Sequence, residues 1–93
     1  MPAYVYLLRC ADGSLYCGWS TDPDRRLAQH QAGRASRYTR SRRPVELVWT
    51  EELASRSEAM RREAEIKRLP VAEKQALIPG RRRRSPGTRA PRR

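Results

Sequence analysis

The chain has 93 residues, enough for one small domain with a modest core and too few for a second domain. Its formal net charge is +11, from 21 Lys plus Arg against 10 Asp plus Glu, and nearly all of the basic residues are arginines. Because the guanidinium fork matches phosphate oxygens, we expect a polyanionic partner. No apolar stretch is long enough to span a bilayer, so we expect no membrane association.

The two strand-like runs at the start of the chain, YVYLLRC and SLYCGWS, flank a tight turn with the sequence ADG. A two-residue Asp-Gly turn would send Tyr6 and Tyr16 to opposite faces of the sheet, because side chains alternate with a period of two. A three-residue turn pairs Tyr6 with Gly18 and puts both tyrosines on one face, about 7 to 8 Å apart. Gly18 then leaves space for the ring opposite. The alternative is that these aromatic residues are ordinary core.

Cys10 and Cys17 lie on these neighbouring strands. With no secretory signal in the chain, we expect both to be reduced thiols of a cytoplasmic protein. The two cysteines and the one histidine do not follow metal-ligand spacing, which argues against a structural zinc site.

Residues 23–32 are predicted to form the first helix, since Asp22 or Thr21 can cap it, a proline suits its first turn and a glycine follows its end. Arg26 and His30 are four residues apart and share a face of this helix. An arginine and a histidine placed in this way can hold a phosphate between them. The alternative is a solvated face on which Arg26 pairs with Asp22.

The segment RASRYTRSRRP, residues 34–44, contains five arginines, one tyrosine and no acid, and its small residues favour a loop. Such a loop suits the phosphates of a nucleic-acid backbone, and its tyrosine can stack on a base or reach an active site. The predicted nucleic-acid-binding residues are Arg34, Arg37, Tyr38, Arg40, Arg42 and Arg43, together with Gly18 from the hairpin.

After a third predicted strand, Ser55 and Glu58 form a capping box that opens a helix, and Pro70 ends it. On a helical wheel, the apolar stripe of this helix contains Ala59, Met60 and Ile66.

Glu63 falls within that stripe, between Ala59 and Met60. A carboxylate on a core-facing stripe must be hydrogen-bonded, paired or bound to a metal, because an isolated buried charge is too costly. The alternative to a metal is an ion pair with Lys67, one turn further along.

Taken in order, these segments resemble the GIY-YIG nuclease domain over roughly residues 4–78. Its two name-giving motifs appear here as YVY at residues 4–6 and YCG at residues 16–18. TDPDRRLAQH looks like the family's helix signature, and AMRREAEIK looks like its acidic helix. The resemblance is to the small stand-alone members, which are similar to the catalytic subunits of branched-DNA structure-specific nucleases.

The resemblance implies that Tyr6 and Tyr16 line an active site, that Arg26 contacts the scissile phosphate and that His30 assists. It also implies that Glu63 binds one divalent metal ion, Mg²⁺ or Mn²⁺. The expected reaction is metal-dependent hydrolysis of phosphodiester bonds, with Tyr6 favoured as the general base once Arg26 and the metal have lowered its pKa.

The chain departs from the family pattern in three places. Tyr4 and Val5 replace the glycine and isoleucine of the first motif, and Cys17 replaces the isoleucine of the second. The chain also contains no asparagine, so the late asparagine of some homing and restriction members is missing. We expect Tyr38 or Thr39 to take its place.

The expected substrate is DNA, branched or nicked, selected by its shape during repair or recombination, with RNA left open. We further expect a cytoplasmic, nucleoid-associated protein. The competing hypothesis is a nucleic-acid-binding module that keeps the fold and cleaves poorly, not at all, or only with a protein partner.

The expected fold class is α/β, a small GIY-YIG-like sandwich in which helices flank a three-stranded, mainly antiparallel sheet. The predicted strands are residues 4–9, 14–20 and 45–51, and the predicted helices are residues 23–32, 56–69 and 71–78.

The expected domains are a nuclease-like domain, residues 1–78, and a disordered Arg-rich tail, residues 79–93. The tail, PGRRRRSPGTRAPRR, holds seven arginines and no acid, so the domain retains a net charge of +4. With almost no apolar residue, the tail cannot offset the entropy cost of ordering. It is either a nonspecific electrostatic arm or an extension that adds solubility.

Overall fold

A computed structural model describes residues 1–79 of the chain. Its three strands form one antiparallel sheet in the order β2-β1-β3. The strands are β1 (Ala3–Arg9), β2 (Leu15–Ser20) and β3 (Glu46–Leu53), and the helices are α1 (Pro23–Gln31), α2 (Arg37–Arg40), α3 (Arg56–Lys67) and α4 (Val71–Ala76). The α/β class and the three-stranded antiparallel sheet are thus confirmed. The predicted Arg-rich tail lies outside the described residues from position 80 onward.

The hairpin of β1 and β2 adopts the register that places both motif tyrosines on one face. Tyr6 pairs with Gly18, and Tyr16 lies two residues before Gly18 on the same strand. The turn is the three-residue one, closed by a 2.9 Å hydrogen bond from the Cys10 N–H to the Ser14 carbonyl. Its last residue, a glycine, has φ of +87°, which other residues rarely adopt. The three-residue alternative is therefore confirmed.

Helices cover both faces of the sheet, and β1, as the central strand, is buried on both sides. This explains why β1 reads as a nearly continuous apolar run rather than an alternating one. No helix among residues 1–79 is long and apolar enough to cross a bilayer. The core on the α3 face consists of Ala3, Val5, Leu7, Cys17, Ala59, Ile66 and Ile78, and the core on the α1 face consists of Tyr6, Leu8, Cys10 and Val45 with Leu27 packed against it.

One residue expected in the core of α3 is exposed. Met60 is 53% exposed, whereas Ala59 and Ile66 are fully buried. Ala59, Glu63 and Ile66 follow the i, i+4, i+7 spacing of one helix face, and Met60 lies 100° away from Ala59. The prediction for Met60 was wrong, and those for Ala59 and Ile66 are confirmed.

The arginine-rich segment is not a loop throughout, because residues 37–40 form the single-turn helix α2. The hydroxyl of Ser36 caps this turn and accepts hydrogen bonds from the backbone N–H groups of Tyr38 and Thr39, at 3.0 and 3.4 Å. One turn is too short to show a hydrophobic period, which is why the sequence did not reveal it. Its packing on α1 buries Thr39 completely.

Candidate active site

An open cleft of about 410 Å³ lies along the β2 edge of the sheet. Because β2 is an edge strand, α1 and α3 can both reach this edge from the opposite faces that they cover. The cleft therefore collects side chains from the central strand, the edge strand and two helices. All five residues predicted to be catalytic line it, namely Tyr6, Tyr16, Arg26, His30 and Glu63.

The phenol of Tyr6 occupies the space that Gly18 leaves open. A Cβ atom added to Gly18 would lie 2.5 Å from the Tyr6 hydroxyl oxygen and 2.7 Å from its Cζ atom. Real Cβ atoms do not approach other atoms so closely, so the glycine is required for this position of the ring. Gly18, predicted to contact nucleic acid, lines the cleft and also has this structural role.

His30 connects Tyr6 to α2 through a buried chain of hydrogen bonds. Its imidazole is 1% exposed, with Nε2 3.0 Å from the Tyr6 hydroxyl and Nδ1 2.7 Å from the Thr39 hydroxyl. The Thr39 hydroxyl lies 3.4 Å from the Ser36 carbonyl, to which it can donate. In that arrangement Nδ1 carries the proton and donates to Thr39, and Nε2 is left to accept the proton of Tyr6.

Burial keeps both members of this pair neutral. It raises the pKa of Tyr6 above its ordinary value, an effect that Tyr16 reinforces and that Arg26 opposes without cancelling. Burial also lowers the pKa of His30 below 6.5, and the positive charge of Arg26 lowers it further. Within the protein itself, Arg26 therefore does not turn Tyr6 into a phenolate, and a proton leaving Tyr6 needs an acceptor.

Arg26 presents an uncommitted guanidinium to the cleft. Asp22, its alternative partner, instead caps α1 by accepting a 3.1 Å hydrogen bond from the Arg25 N–H. Within residues 1–79, the Arg26 side chain forms no ion pair. A half-buried, unpaired arginine beside a neutral tyrosine and histidine is suited to an anion such as a phosphate.

Glu63 brings the one carboxylate of the cleft, and Lys67 partly occupies it. The Lys67 Nζ atom is 3.6 Å from Glu63 Oε2, and the Glu63 side chain is 21% exposed. The described part of the chain contains no group of three or more His, Cys, Asp or Glu side chains that could hold a metal ion. A single carboxylate beside open space still fits Mg²⁺, which usually keeps several waters and takes further ligands from substrate phosphates.

Arg56 also lines the cleft, and the sequence prediction missed it. It lies at the start of α3, seven residues before Glu63, so two helical turns place both residues on nearly the same face. No ion pair in the described region uses its guanidinium. The same wheel that singled out Glu63 contains this signal, because a seven-residue spacing rotates by only 20° from two full turns.

Two of the predicted nucleic-acid-binding arginines have internal partners. Arg42 forms a 3.0 Å ion pair with Asp12, and its guanidinium lies 3.9 Å from the centre of the Tyr38 ring. Arg43 donates to the backbone carbonyls of Arg40 and Gln31, at 2.9 and 3.1 Å. These two side chains tie the arginine-rich segment to the hairpin and to α1.

The other predicted arginines of this segment, Arg34, Arg37 and Arg40, are exposed and line a shallow depression together; we call these three residues the basic patch. They form no ion pair with any residue from 1 to 79. Ala35 lines both this depression and the cleft, so the basic patch adjoins the candidate active site.

Tyr38 stacks beside the cleft, with its ring centre 5.9 Å from that of Tyr16. One face of Tyr38 is already covered by Arg42. Any base that stacks on Tyr38 must therefore use the face of the ring that Arg42 leaves open.

Comparison with known proteins identifies the family of the chain. Residues 2–75 match the family described as the GIY-YIG catalytic domain. The chain belongs to the GIY-YIG family. At the family level this is a nuclease domain, whose substrate is nucleic acid and whose members generally use divalent metal ions.

The relatives of this GIY-YIG chain are small proteins of similar length. It is 55% identical to a UPF0213 protein of Natronomonas pharaonis, over 81% of this chain and 88% of the relative. It is 49% identical to a UPF0213 protein of Staphylococcus haemolyticus, over 81% of this chain and 92% of the relative. The small stand-alone members are thus confirmed as the branch to which it is similar.

Two solution NMR structures share the fold. A UPF0213 protein from Bacillus halodurans aligns with a TM-score of 0.53 at 48% identity, covering 83% of this chain and 82% of the other. A protein from E. faecalis aligns with a TM-score of 0.56 at 41% identity, covering 82% and 81%.

Proposed function

We propose that this chain is a metal-dependent endonuclease that hydrolyses phosphodiester bonds in DNA. The supporting observation is the convergence of five side chains from four elements, Tyr6, Tyr16, Arg26, His30 and Glu63, on one cleft at the β2 edge. The finer proposal is a cytoplasmic, nucleoid-associated enzyme of repair or recombination that selects branched or nicked DNA by shape. Its small surface makes shape, rather than an extended sequence contact, the means of selection.

In this proposal the scissile phosphate binds Arg26, whose unpaired guanidinium neutralises the charge that develops on the phosphate oxygens in the transition state. Arg56, on the α3 side of the same cleft, stabilises the part of the DNA strand next to the scissile phosphate. The ring of Tyr16 packs edge-on against His30 at 5.1 Å and helps to position the attacking water.

Tyr6 and His30 act together as the base. The Tyr6 hydroxyl takes a proton from the attacking water while its own proton passes to Nε2 of His30, across the 3.0 Å hydrogen bond. The oxygen of the water forms the new P–O bond, the bond to the leaving strand breaks, the leaving oxygen takes up a proton from solvent water, and His30 becomes an imidazolium. This route avoids a free phenolate, which the raised pKa of Tyr6 makes unfavourable.

Glu63 would hold the divalent ion, Mg²⁺ or Mn²⁺. When bound there, such an ion polarises a phosphate oxygen and stabilises the leaving oxygen. Lys67 is the competitor for the same carboxylate, at 3.6 Å.

That ion pair favours a second candidate, a nucleic-acid-binding module that does not cleave or that cleaves only with a protein partner. If Lys67 keeps Glu63 occupied, the cleft binds phosphate without activating it. Metal dependence separates the two functions, since a pure binder shows the steep salt dependence of phosphate contacts and no response to Mg²⁺.

The test is cleavage of end-labelled duplex, single-stranded, flap and four-way-junction DNA by the purified protein, in Mg²⁺ and in EDTA. We expect metal-dependent cutting that Glu63→Ala abolishes. We also expect Tyr6→Phe and Arg26→Ala each to lose more than about a hundredfold in rate while DNA binding is retained. If the wild type and Glu63→Ala bind DNA equally well and neither cuts it, the nuclease proposal is rejected in favour of the binding module.

A further inference from the structure

A second groove lies on the other side of Tyr16 from the catalytic cleft. It measures about 400 Å³, similar in size to the cleft. Tyr16 lines both depressions, so the two meet at this residue. The other residues that line the groove are Ser14, Leu15 and Cys17 of the hairpin, Tyr38, Lys67 at the end of α3, and Val71 and Lys74 of α4.

The cleft and the groove follow the same two elements. Residues 18–20 of β2 line the cleft, and residues 15–17 of the same strand line the groove. On α3, Arg56 and Glu63 line the cleft and Lys67 lines the groove. Spacings of seven and four residues put these three side chains on one helix face. The two depressions are therefore successive parts of one trough between β2 and α3.

The chemistry of the groove differs from that of the cleft. Its floor is apolar, with Cys17 buried and Leu15 partly buried in the adjoining core, and Val71 contributes a side that is 62% exposed. Two lysines supply positive charge, and no acidic residue lines it. Lys74 has no ion-pair partner in the described residues, whereas Lys67 pairs with Glu63.

An apolar floor under two ammonium groups suits one nucleotide, whose base and sugar cover the floor while its phosphate meets the lysines. The groove is also placed correctly for the neighbour of a phosphate in the cleft. Lys67 lies one helical turn, about 6 Å along the axis, from Glu63, a distance comparable with the separation of neighbouring phosphates.

We infer that this groove is the subsite for the nucleotide that flanks the scissile phosphate. Lys74 and Lys67 bind the phosphate of that flanking nucleotide. The inference rests on the proposed function, because that function places the scissile phosphate in the cleft. The substrate strand runs along the trough, passes the ring of Tyr16 and lies between β2 and α3 on both sides of the cleavage point.

The first test measures binding without catalysis. It uses Glu63→Gln protein in EDTA and a short fluorescent thymidine oligonucleotide. We expect Lys74→Gln to weaken binding roughly fivefold and to flatten the salt dependence of log K by about 0.7 to 0.9, the loss of one phosphate contact. Val71→Glu, a change at an exposed position, should weaken binding at least as much because it puts a negative charge beside the phosphate.

The matched control is Arg61→Gln, which removes one positive charge from the exposed side of the neighbouring helix α3. It should leave the affinity within about twofold and the salt slope unchanged. Equal effects of Arg61→Gln and Lys74→Gln would mean that only the overall field of the protein is sensed, and would overturn the subsite.

The second test locates the ligand. Addition of thymidine 3′,5′-bisphosphate to the metal-free protein should shift the backbone NMR signals of residues 14–17 and 67–74, and Lys74→Gln should remove these shifts while signals from the cleft still move. An absence of shifts in the groove of the wild type overturns the subsite.

The nuclease proposal and the subsite proposal can be rejected independently of each other. Metal-dependent cleavage in the wild type with no effect of Lys74→Gln on binding rejects the subsite and keeps the nuclease. Groove shifts and a Lys74 effect in a protein that never cleaves DNA in Mg²⁺ reject the nuclease and leave a nucleotide-binding groove.

Discussion

Gly18 and Tyr6 form a matched pair across two strands, and the pair sets the position of the proposed base. Because Gly18 has no Cβ, there is room for the phenol of Tyr6. A Cβ atom at this position would lie 2.5 Å from the Tyr6 hydroxyl oxygen. Moving this phenol also moves its hydrogen bond to His30, because the hydroxyl oxygen is the atom in the closest contact. A glycine inside a strand is unfavourable in itself, so its benefit must lie in this placement.

The first prediction concerns Gly18→Ala. We expect the new methyl group to displace the Tyr6 ring, to lower the free energy of unfolding by about 1 to 3 kcal/mol and to reduce cleavage as strongly as Tyr6→Phe does. Urea denaturation and single-turnover cleavage measure the two effects.

A double-mutant cycle identifies the cause. In a Tyr6→Ala background the clashing ring is absent, so Gly18→Ala should cost much less stability than it does in the wild type. The same cost in both backgrounds would show that the loss arises from the strand itself and not from the tyrosine.

The second prediction concerns the pKa of His30, the only histidine in the chain. Burial, and then the charge of Arg26, lower this pKa below 6.5. Because the folded state then binds fewer protons than the unfolded state, stability falls as pH drops below 6.5, and cleavage falls as pH drops through the lowered pKa. NMR titration of the imidazole should give a midpoint below 6.5.

Removal of the neighbouring charge tests the cause of that shift. Arg26→Gln should move the midpoint of His30 upward, towards 6.5, and Arg25→Gln should not, since Arg25 is exposed on the same helix and does not line the cleft. A wild-type midpoint at or above 6.5, or an equal response to both substitutions, would contradict this account of the electrostatics.

At the scale of elements, α2 is a single turn with one buried side chain, Thr39, and that side chain orients the imidazole of His30. The helix thereby connects the arginine-rich segment to the proposed chemistry through His30, which hydrogen-bonds to both Thr39 and Tyr6. Thr39 is in this sense a positioning residue. It is also one of the two residues expected to replace the missing asparagine.

The third prediction is that Thr39→Val, which keeps the shape and removes the hydroxyl, lowers kcat for cleavage by roughly tenfold or more with little change in KM. The change leaves the buried Nδ1–H of His30 without an acceptor. The tautomer with its proton on Nδ1, which leaves Nε2 free to accept from Tyr6, is then no longer favoured. Thr39→Ser should restore most of the rate. Equal losses in the valine and serine variants would point to packing instead of the hydrogen bond.

The individual elements show which structural features could be predicted from the sequence. The hairpin register followed from one choice of turn, because a period of two fixes every side chain once Tyr6 is paired with Gly18. The helical wheel placed Glu63 on the inward face and placed Met60 there wrongly, because Met60 lies 100° from Ala59 and is exposed.

Other features depend on three-dimensional contacts that leave little trace in the sequence. The helix α2 is too short to show a period, and the hydrogen bond between His30 and Thr39 joins residues from two separate elements. The groove next to Tyr16 is lined by Lys74 from α4 and Lys67 from α3, and the proximity of these two lysines depends on how the chain turns between the two helices. Arg56 is different, because its spacing from Glu63 was visible from the start.

At the scale of the whole molecule, the five arginines of the arginine-rich segment fall into two groups. Arg42 and Arg43 are used within the protein, whereas the basic patch of Arg34, Arg37 and Arg40 has no ion-pair partner in the described part of the chain and adjoins the cleft. A patch of this kind positions a polyanion through its phosphates without reading its sequence. In the proposed function, the net positive charge of the chain brings nucleic acid to the protein, and the basic patch determines how that nucleic acid lies across the cleft.

The fourth prediction separates those two effects. Replacement of the three patch arginines by glutamine should reduce the magnitude of the salt slope of DNA binding by about 2 to 3, at roughly 0.9 for each lost phosphate contact with duplex DNA. The control replaces three exposed arginines outside the patch, Arg25, Arg61 and Arg68, and so changes the net charge by the same amount. Its slope should change by less than about 1, because those side chains act only through the screened long-range field. Identical slopes for the two triple variants, measured by fluorescence anisotropy between low and physiological salt, would mean that DNA responds to total charge and that the patch does not orient it.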